Sequence, residues 1–243
     1  MASWWTCTML SFLTTIQCVA QLSRPDTAFI SAAKSNQKQL YKKFIHGQSR
    51  LNNGSAYRDY FSKNDEHPYF GVDDWAYGYI IYDDELYTDV AMFYDLSRDK
   101  VIAEHSLSGT KLELVSEKIK QFSLADHVFI RLGKNESSII PEGFFELLYD
   151  GTTKVYARRE KILNEKIESN EIITKFDDLN RIYIQKDGTY FFVNKKKSVL
   201  DVFIDKKQEL KTFLTKNKIN YNGDREKAIV RMAEFYDAQK NQS

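Results

Sequence analysis

The chain has 243 residues, of which 42% are hydrophobic and 14% aromatic, and its net charge is only +1. That composition excludes a disordered chain and a strongly basic nucleic-acid-binding domain, and the length suits one domain of ordinary size with, at most, an appended subdomain. The charge is uneven: residues 57–95 hold ten Asp/Glu against Arg58 and Lys63, whereas residues 195–243 hold twelve Lys/Arg against seven Asp/Glu, which reads as an acidic sheet edge beside a basic helical end.

The first 23 residues carry no charge. An apolar run over residues 9–13 is followed by Cys18-Val19-Ala20-Gln21, the pattern of an export signal cleaved after Ala20, although no Lys or Arg precedes the run. Interspersed Thr, Ser and Gln make a membrane-spanning helix unattractive, and Gln17 before Cys18 does not fit a lipid-attachment signal. Cleavage removes Cys7 and Cys18, the only cysteines. The mature chain then has no disulfide, thiolate metal site or cysteine nucleophile, and no membrane span.

Residues 21–63 read as a lead-in segment, with a short helix over 28–45 and a turn at Asn52-Asn53-Gly54-Ser55. Residues 64–196 read as an antiparallel β body. Its first hairpin joins 75–82 (WAYGYIIY) to 86–94 (LYTDVAMFY) through Asp83-Asp84-Glu85. Shorter strands follow at 101–105 and 112–115, and one more within 122–132. Two further hairpins turn at Asp150-Gly151 and Asp187-Gly188, dipeptides that suit two-residue type I′ turns because both positions take positive φ. Residues 197–243 carry helical stripes: Val199, Leu200, Phe203 and Ile204, then Leu210, Phe213 and Leu214, then Ile229, Met232, Ala233 and Tyr236, with Asp224 as a cap. Short connections without βαβ alternation give an α+β, mainly β fold: an antiparallel meander or open, barrel-like sheet with two or three C-terminal helices packed on it.

Chemistry-bearing motifs are scarce. The four histidines lack metal-motif spacing, and no nucleophile elbow, phosphate-binding loop or EF-hand pattern occurs; no cofactor or metal is expected. Asp73-Asp74 and Asp83-Asp84-Glu85 read as solvated turns. The strongest lead is aromatic: Trp75, Tyr77 and Tyr79 share one parity of a strand and point to one face, which suits stacking on a sugar or lining an apolar groove. The same residues also suit a core built from large side chains.

The segment His67-Pro68-Tyr69-Phe70, the Trp75 strand, Tyr94-Asp95 and residues 143–151 (GFFELLYDG), together with the Lys-rich end, resemble uncharacterised exported β-rich proteins of Gram-negative bacteria. The resemblance spans most of the mature chain and implies no activity. The expectation is an exported, periplasmic or secreted, non-enzymatic binding or envelope-associated domain whose partner is an envelope glycan, lipid or protein, not nucleic acid. The alternatives are an exported hydrolase with an acidic site and an interaction module using the C-terminal helices.

Overall fold

The computed structural model describes residues 50–60, 66–106, 108–133, 139–168 and 171–240. The export signal and the helix expected over 28–45 lie outside the described residues. Among the described residues eleven strands form one antiparallel sheet: β1 (Ser55–Ala56), β2 (Ala76–Tyr82), β3 (Glu85–Asp95), β4 (Lys100–Glu104), β5 (Lys111–Glu113), β6 (Ile119–Leu124), β7 (His127–Leu132), β8 (Gly143–Asp150), β9 (Lys154–Glu168), β10 (Glu171–Lys186) and β11 (Thr189–Val193). Their order is β1-β5-β4-β3-β2-β6-β7-β8-β9-β10-β11, so the sheet is open. Three helices follow: α1 (Lys196–Val202), α2 (Lys207–Lys216) and α3 (Arg225–Lys240). This is the α+β, mainly β architecture expected. The two-residue strand β1 lies inside the stretch read as the lead-in segment and pairs with β5.

Turn chemistry accounts for much of the meander. Asp83 and Asp84 both take positive φ between the paired residues Tyr82 and Glu85, and Asp187 and Gly188 do the same between Lys186 and Thr189; each has the positive-φ pair of a type I′ loop. The turn at Asp150-Gly151 differs. Asp150 pairs with Lys154, leaving a three-residue loop in which Gly151 has no positive φ. The single strand expected within 122–132 is a hairpin, β6–β7, closed by Ala125-Asp126 with Ala125 at φ 49°. Ala at a position that usually takes Gly hides such a turn from sequence reading.

β9 and β10 are far longer than expected and pair from Lys154–Gln185 to Glu168–Glu171. β8 accompanies β9 only as far as Ala157, and β11 accompanies β10 only from Ile182. The remainder is a two-stranded ribbon. Lys161 ties it to the body through Nζ to the His67 carbonyl at 2.8 Å, and Phe176 sets its ring edge-on to Tyr60 at 5.3 Å.

The first half of the sheet buries one face in a cluster that includes Ile80, Tyr82, Met92, Tyr94, Phe122, Phe129 and Phe144. Phe122 stacks on Phe129 at 4.9 Å, and Tyr94 meets Phe144 edge-on at 5.9 Å. β3 and β8 are four strand steps apart, about 19 Å in a flat sheet. Contact between Tyr94 and Phe144 therefore requires strong coiling, which brings the sheet close to a barrel without a closing ladder. The second half packs Val155, Ile182, Ile184 and Val193 against Phe203, Leu210, Leu214, Ile229, Met232 and Tyr236 of the helical end. The helical stripes thus cover the sheet. Ile204 departs from its stripe and is 62% exposed, because α1 ends at Val202 and a 3-10 turn over Ile204–Lys206 breaks the periodicity. Asp224 accepts from the Lys227 amide at 3.0 Å, the capping role expected of it.

Candidate ligand-binding face

β2, with Trp75 immediately before it, places Trp75, Tyr77 and Tyr79 on the sheet face opposite Ile80 and Tyr82, which lie in the main core. The bulge that shifts register between Gly78 and Ile80 leaves this alternation intact, because the extra residue, Asp89 at φ 55°, is on β3. Gly78, on the opposite face, lies close against β6. A Cβ there would stand 1.9 Å from the Ser123 carbonyl oxygen of β6.

The three aromatics have different surroundings. Trp75 is half-buried; its amide donates to Asp74 Oδ1 at 2.8 Å and its ring lies 4.4 Å from that of Phe93. Tyr77, opposite the small Ala91, is 67% exposed. Tyr79 is half-buried, its amide donates to Ser123 Oγ at 3.1 Å, and its hydroxyl accepts from Gln121 Nε2. Strand geometry spaces Tyr77 and Tyr79 by about 6.8 Å along β2.

Beneath and beside Trp75 lies a satellite cluster of Tyr57, Tyr69, Phe93 and Ile102. It is rimmed by charge that linear reading does not assemble. Lys111 Nζ reaches Asp59 Oδ1 at 2.5 Å and the Tyr69 hydroxyl at 3.1 Å, and stands 4.9 Å from the Phe93 ring centre. The Tyr69 hydroxyl donates to the same Asp59 oxygen at 2.7 Å. Burial pushes the Asp59 carboxyl up and the Lys111 ammonium down, but their mutual bond and Tyr69 more than reverse both effects. Asp59 thus falls below, and Lys111 rises above, its ordinary range, so the pair is ionised at neutral pH. Deeper in, Asp95 is fully buried; it accepts from the Tyr57 hydroxyl at 2.9 Å and from the Ser97 and Arg98 amides at 2.8 and 3.0 Å. Burial raises the Tyr57 hydroxyl well above its usual value, and Asp95 adds to this.

The acidic turns do not converge on this face. Asp73 and Asp74 are exposed. Asp83 lies near Lys118 and Arg50, Asp84 pairs with Lys120 at 2.5 Å, and Glu85 lies 3.5 Å from Arg50. Among the described residues no group of three or more His, Cys, Asp or Glu is placed to hold a metal ion. His127 and His105 each have a ring nitrogen held locally, whereas the buried Nδ1 of His67 has no hydrogen-bond partner among the described groups. His127 Nδ1 lies 2.5 Å from the buried Glu146, and His105 Nδ1 accepts from the Ser108 amide at 3.2 Å.

The arrangement offers an exposed aromatic surface on rigid strands with ionised hydrogen-bonding groups at its border. That suits stacking against a ring that also carries hydroxyl groups. Asp59, Lys111 and Asp95 lie on separate segments, and only the crowding of Tyr57, Tyr69 and Phe93 around the Trp75 strand hints at them in sequence. Comparison with protein-family models, curated proteins and solved structures returns no match.

Proposed function

We propose that the protein is an exported, non-enzymatic binding domain that holds an envelope carbohydrate against the Trp75–Tyr77–Tyr79 face. The observation that carries this reading is the exposure of Tyr77 beside a braced Trp75, with Asp59 and Lys111 supplying polar contacts at the border. The uncharged N-terminal segment supports export to the periplasm or exterior, with the chain beginning at Gln21 after cleavage. Among the described residues no helix is long and apolar enough to cross a membrane.

The chain from Gln21 retains only one of the three tryptophans, Trp75. Its fluorescence is therefore a direct reporter of the proposed face. Titration with peptidoglycan fragments and other envelope oligosaccharides should give a saturable spectral shift. Tyr77→Ala should weaken binding about three- to tenfold, the value of one aromatic contact. A flat titration with every oligosaccharide, or full affinity in Tyr77→Ala, would rule the reading out. Edman sequencing of the exported protein tests the localisation separately: an intact Met1 in that fraction contradicts it.

A further inference from the structure

The sheet ends at β11, whose outer edge pairs with no strand among the described residues. Edge strands of native proteins are ordinarily guarded by shortness, charge, proline or a bulge. The other edges of this sheet follow that rule. β1 has two residues, and the stretches of β9 and β10 beyond the sheet carry Lys161, Glu165 and Lys166, and Lys175, Asp177, Asp178 and Arg181. β11 reads Thr-Tyr-Phe-Phe-Val. It has no charge and no proline, and its register with β10 runs unbroken from Thr189 to Val193. Phe192 is 43% exposed. An unguarded aromatic edge is a template for one more strand.

The register identifies the groups on offer. The two-residue turn at Asp187-Gly188 makes Lys186 and Thr189 a hydrogen-bonded pair, and such pairs alternate along an antiparallel ladder. Thr189, Phe191 and Val193 therefore bond to β10, whereas Tyr190 and Phe192 turn their amides and carbonyls outward. The next outward amide, that of Asn194, is taken by Ser198 Oγ at 3.2 Å. The open edge is thus Tyr190 and Phe192.

We propose that β11 pairs antiparallel with β11 of a second copy of the chain, about a two-fold axis at Phe191. In that register Tyr190 of each copy faces Phe192 of the other, and four backbone hydrogen bonds use every outward group of both residues. The two Phe191 residues form the central, non-hydrogen-bonded pair, with Cα atoms about 4.5 Å apart. Charge agrees with this arrangement. Asp187, at the start of one strand, comes beside Lys195 of the second copy, which is in extended backbone at the strand's far end. Lys186 is held within its own copy by Asp205 at 2.9 Å and the Val202 carbonyl at 3.1 Å. The two-fold contact consumes the edge, so assembly stops at the dimer.

Sedimentation equilibrium of the full chain tests this, with Cys7→Ser/Cys18→Ser as the background. A concentration-dependent dimer is expected, and no larger species. Phe192→Pro removes an amide that β10 does not use, together with an aromatic contact, on both sides of the axis. It should weaken the dimer at least about tenfold while the far-UV circular dichroism stays unchanged. In the same background, Phe191→Cys sets two thiols at disulfide distance, and oxidation with copper phenanthroline should give a covalent dimer. Thr189→Cys should not cross-link, because each Thr189 lies about 13 Å along the strand from its copy. A monomer at every concentration overturns the proposal and leaves the edge to a strand of another protein. Species larger than a dimer, undiminished dimerisation of folded Phe192→Pro, or equal cross-linking of the two cysteine variants overturns it as well.

Discussion

Gly78 shows how one missing side chain positions the aromatic face. The β2 backbone approaches β6 so closely at this point that a Cβ would stand 1.9 Å from the Ser123 carbonyl oxygen and 2.8 Å from its carbon. Both atoms are backbone, so the strands must separate to admit a methyl group. Gly78→Ala should therefore cost about 1–3 kcal/mol, the range of an overpacked core, read as a lower urea midpoint at unchanged slope. A smaller loss would mean that β6 yields freely. The substitution should also loosen Tyr79, whose amide is held by Ser123 Oγ. The parity of Trp75, Tyr77 and Tyr79 is legible in the sequence because side chains alternate along a strand. The role of Gly78 is not, since it depends on a neighbour forty-five positions away. Asp59 and Lys111 are equally silent in sequence, because each is an ordinary surface residue until the fold sets them 2.5 Å apart.

At the scale of elements, the β8–β9 turn is the clearest case of a distant contact overriding local chemistry. Asp150-Gly151 has the composition of a two-residue loop, yet the loop holds three residues. The cause is Asp237 of α3. Its carboxylate is buried and accepts from the Thr153 amide at 2.9 Å, the Thr153 hydroxyl at 2.8 Å and the Tyr149 hydroxyl at 3.1 Å. Gly151 is still needed, since a Cβ there would stand 2.3 Å from the Tyr149 hydroxyl and 2.5 Å from Asp237 Oδ2. Asp237→Ala leaves the buried Thr153 amide and hydroxyl without this acceptor. It should destabilise the protein by about 1–3 kcal/mol, whereas Asp237→Asn, which keeps one carbonyl oxygen, should lose less. Equal losses in urea unfolding would show that the contact is not the determinant. The helical stripes were readable because their apolar residues recur at helical spacing. The β9–β10 ribbon was not, because beyond the sheet its residues alternate charge with isolated apolar groups, and only the pairing partner reveals the strand.

The open sheet coils far enough for its two halves to be fastened by a polar clasp, which no local pattern announces. Asp99, in the loop after β3 and at φ 56°, accepts from Arg158 Nη2 of β9 at 2.9 Å and from the Tyr94 hydroxyl at 2.7 Å. Arg158 is 6% exposed and also donates to the Phe144 carbonyl at 2.8 Å. Gly143 makes room for the pair, since a Cβ there would stand 2.2 Å from Asp99 Oδ2. Removing one member of a buried ion pair leaves the other uncompensated, at a typical cost of about 3–5 kcal/mol. Asp99→Asn, which tolerates the left-handed backbone, strands the deeply buried guanidinium. Glu160, whose Oε1 lies 3.7 Å from Arg158 Nε, offsets part of that charge, so the expected loss is about 3 kcal/mol. Arg158→Met instead leaves a carboxylate that is partly open to water and still bonded to Tyr94. Its loss should be smaller, about 1–3 kcal/mol, dominated by the unpaired Phe144 carbonyl. The double variant should then resemble Arg158→Met alone, because the stranded charge of the first variant has gone. Guanidinium unfolding of all four proteins gives the coupling energy directly. If the two losses simply add, the clasp is incidental and the coil is held by Tyr94, Phe129 and Phe144 alone.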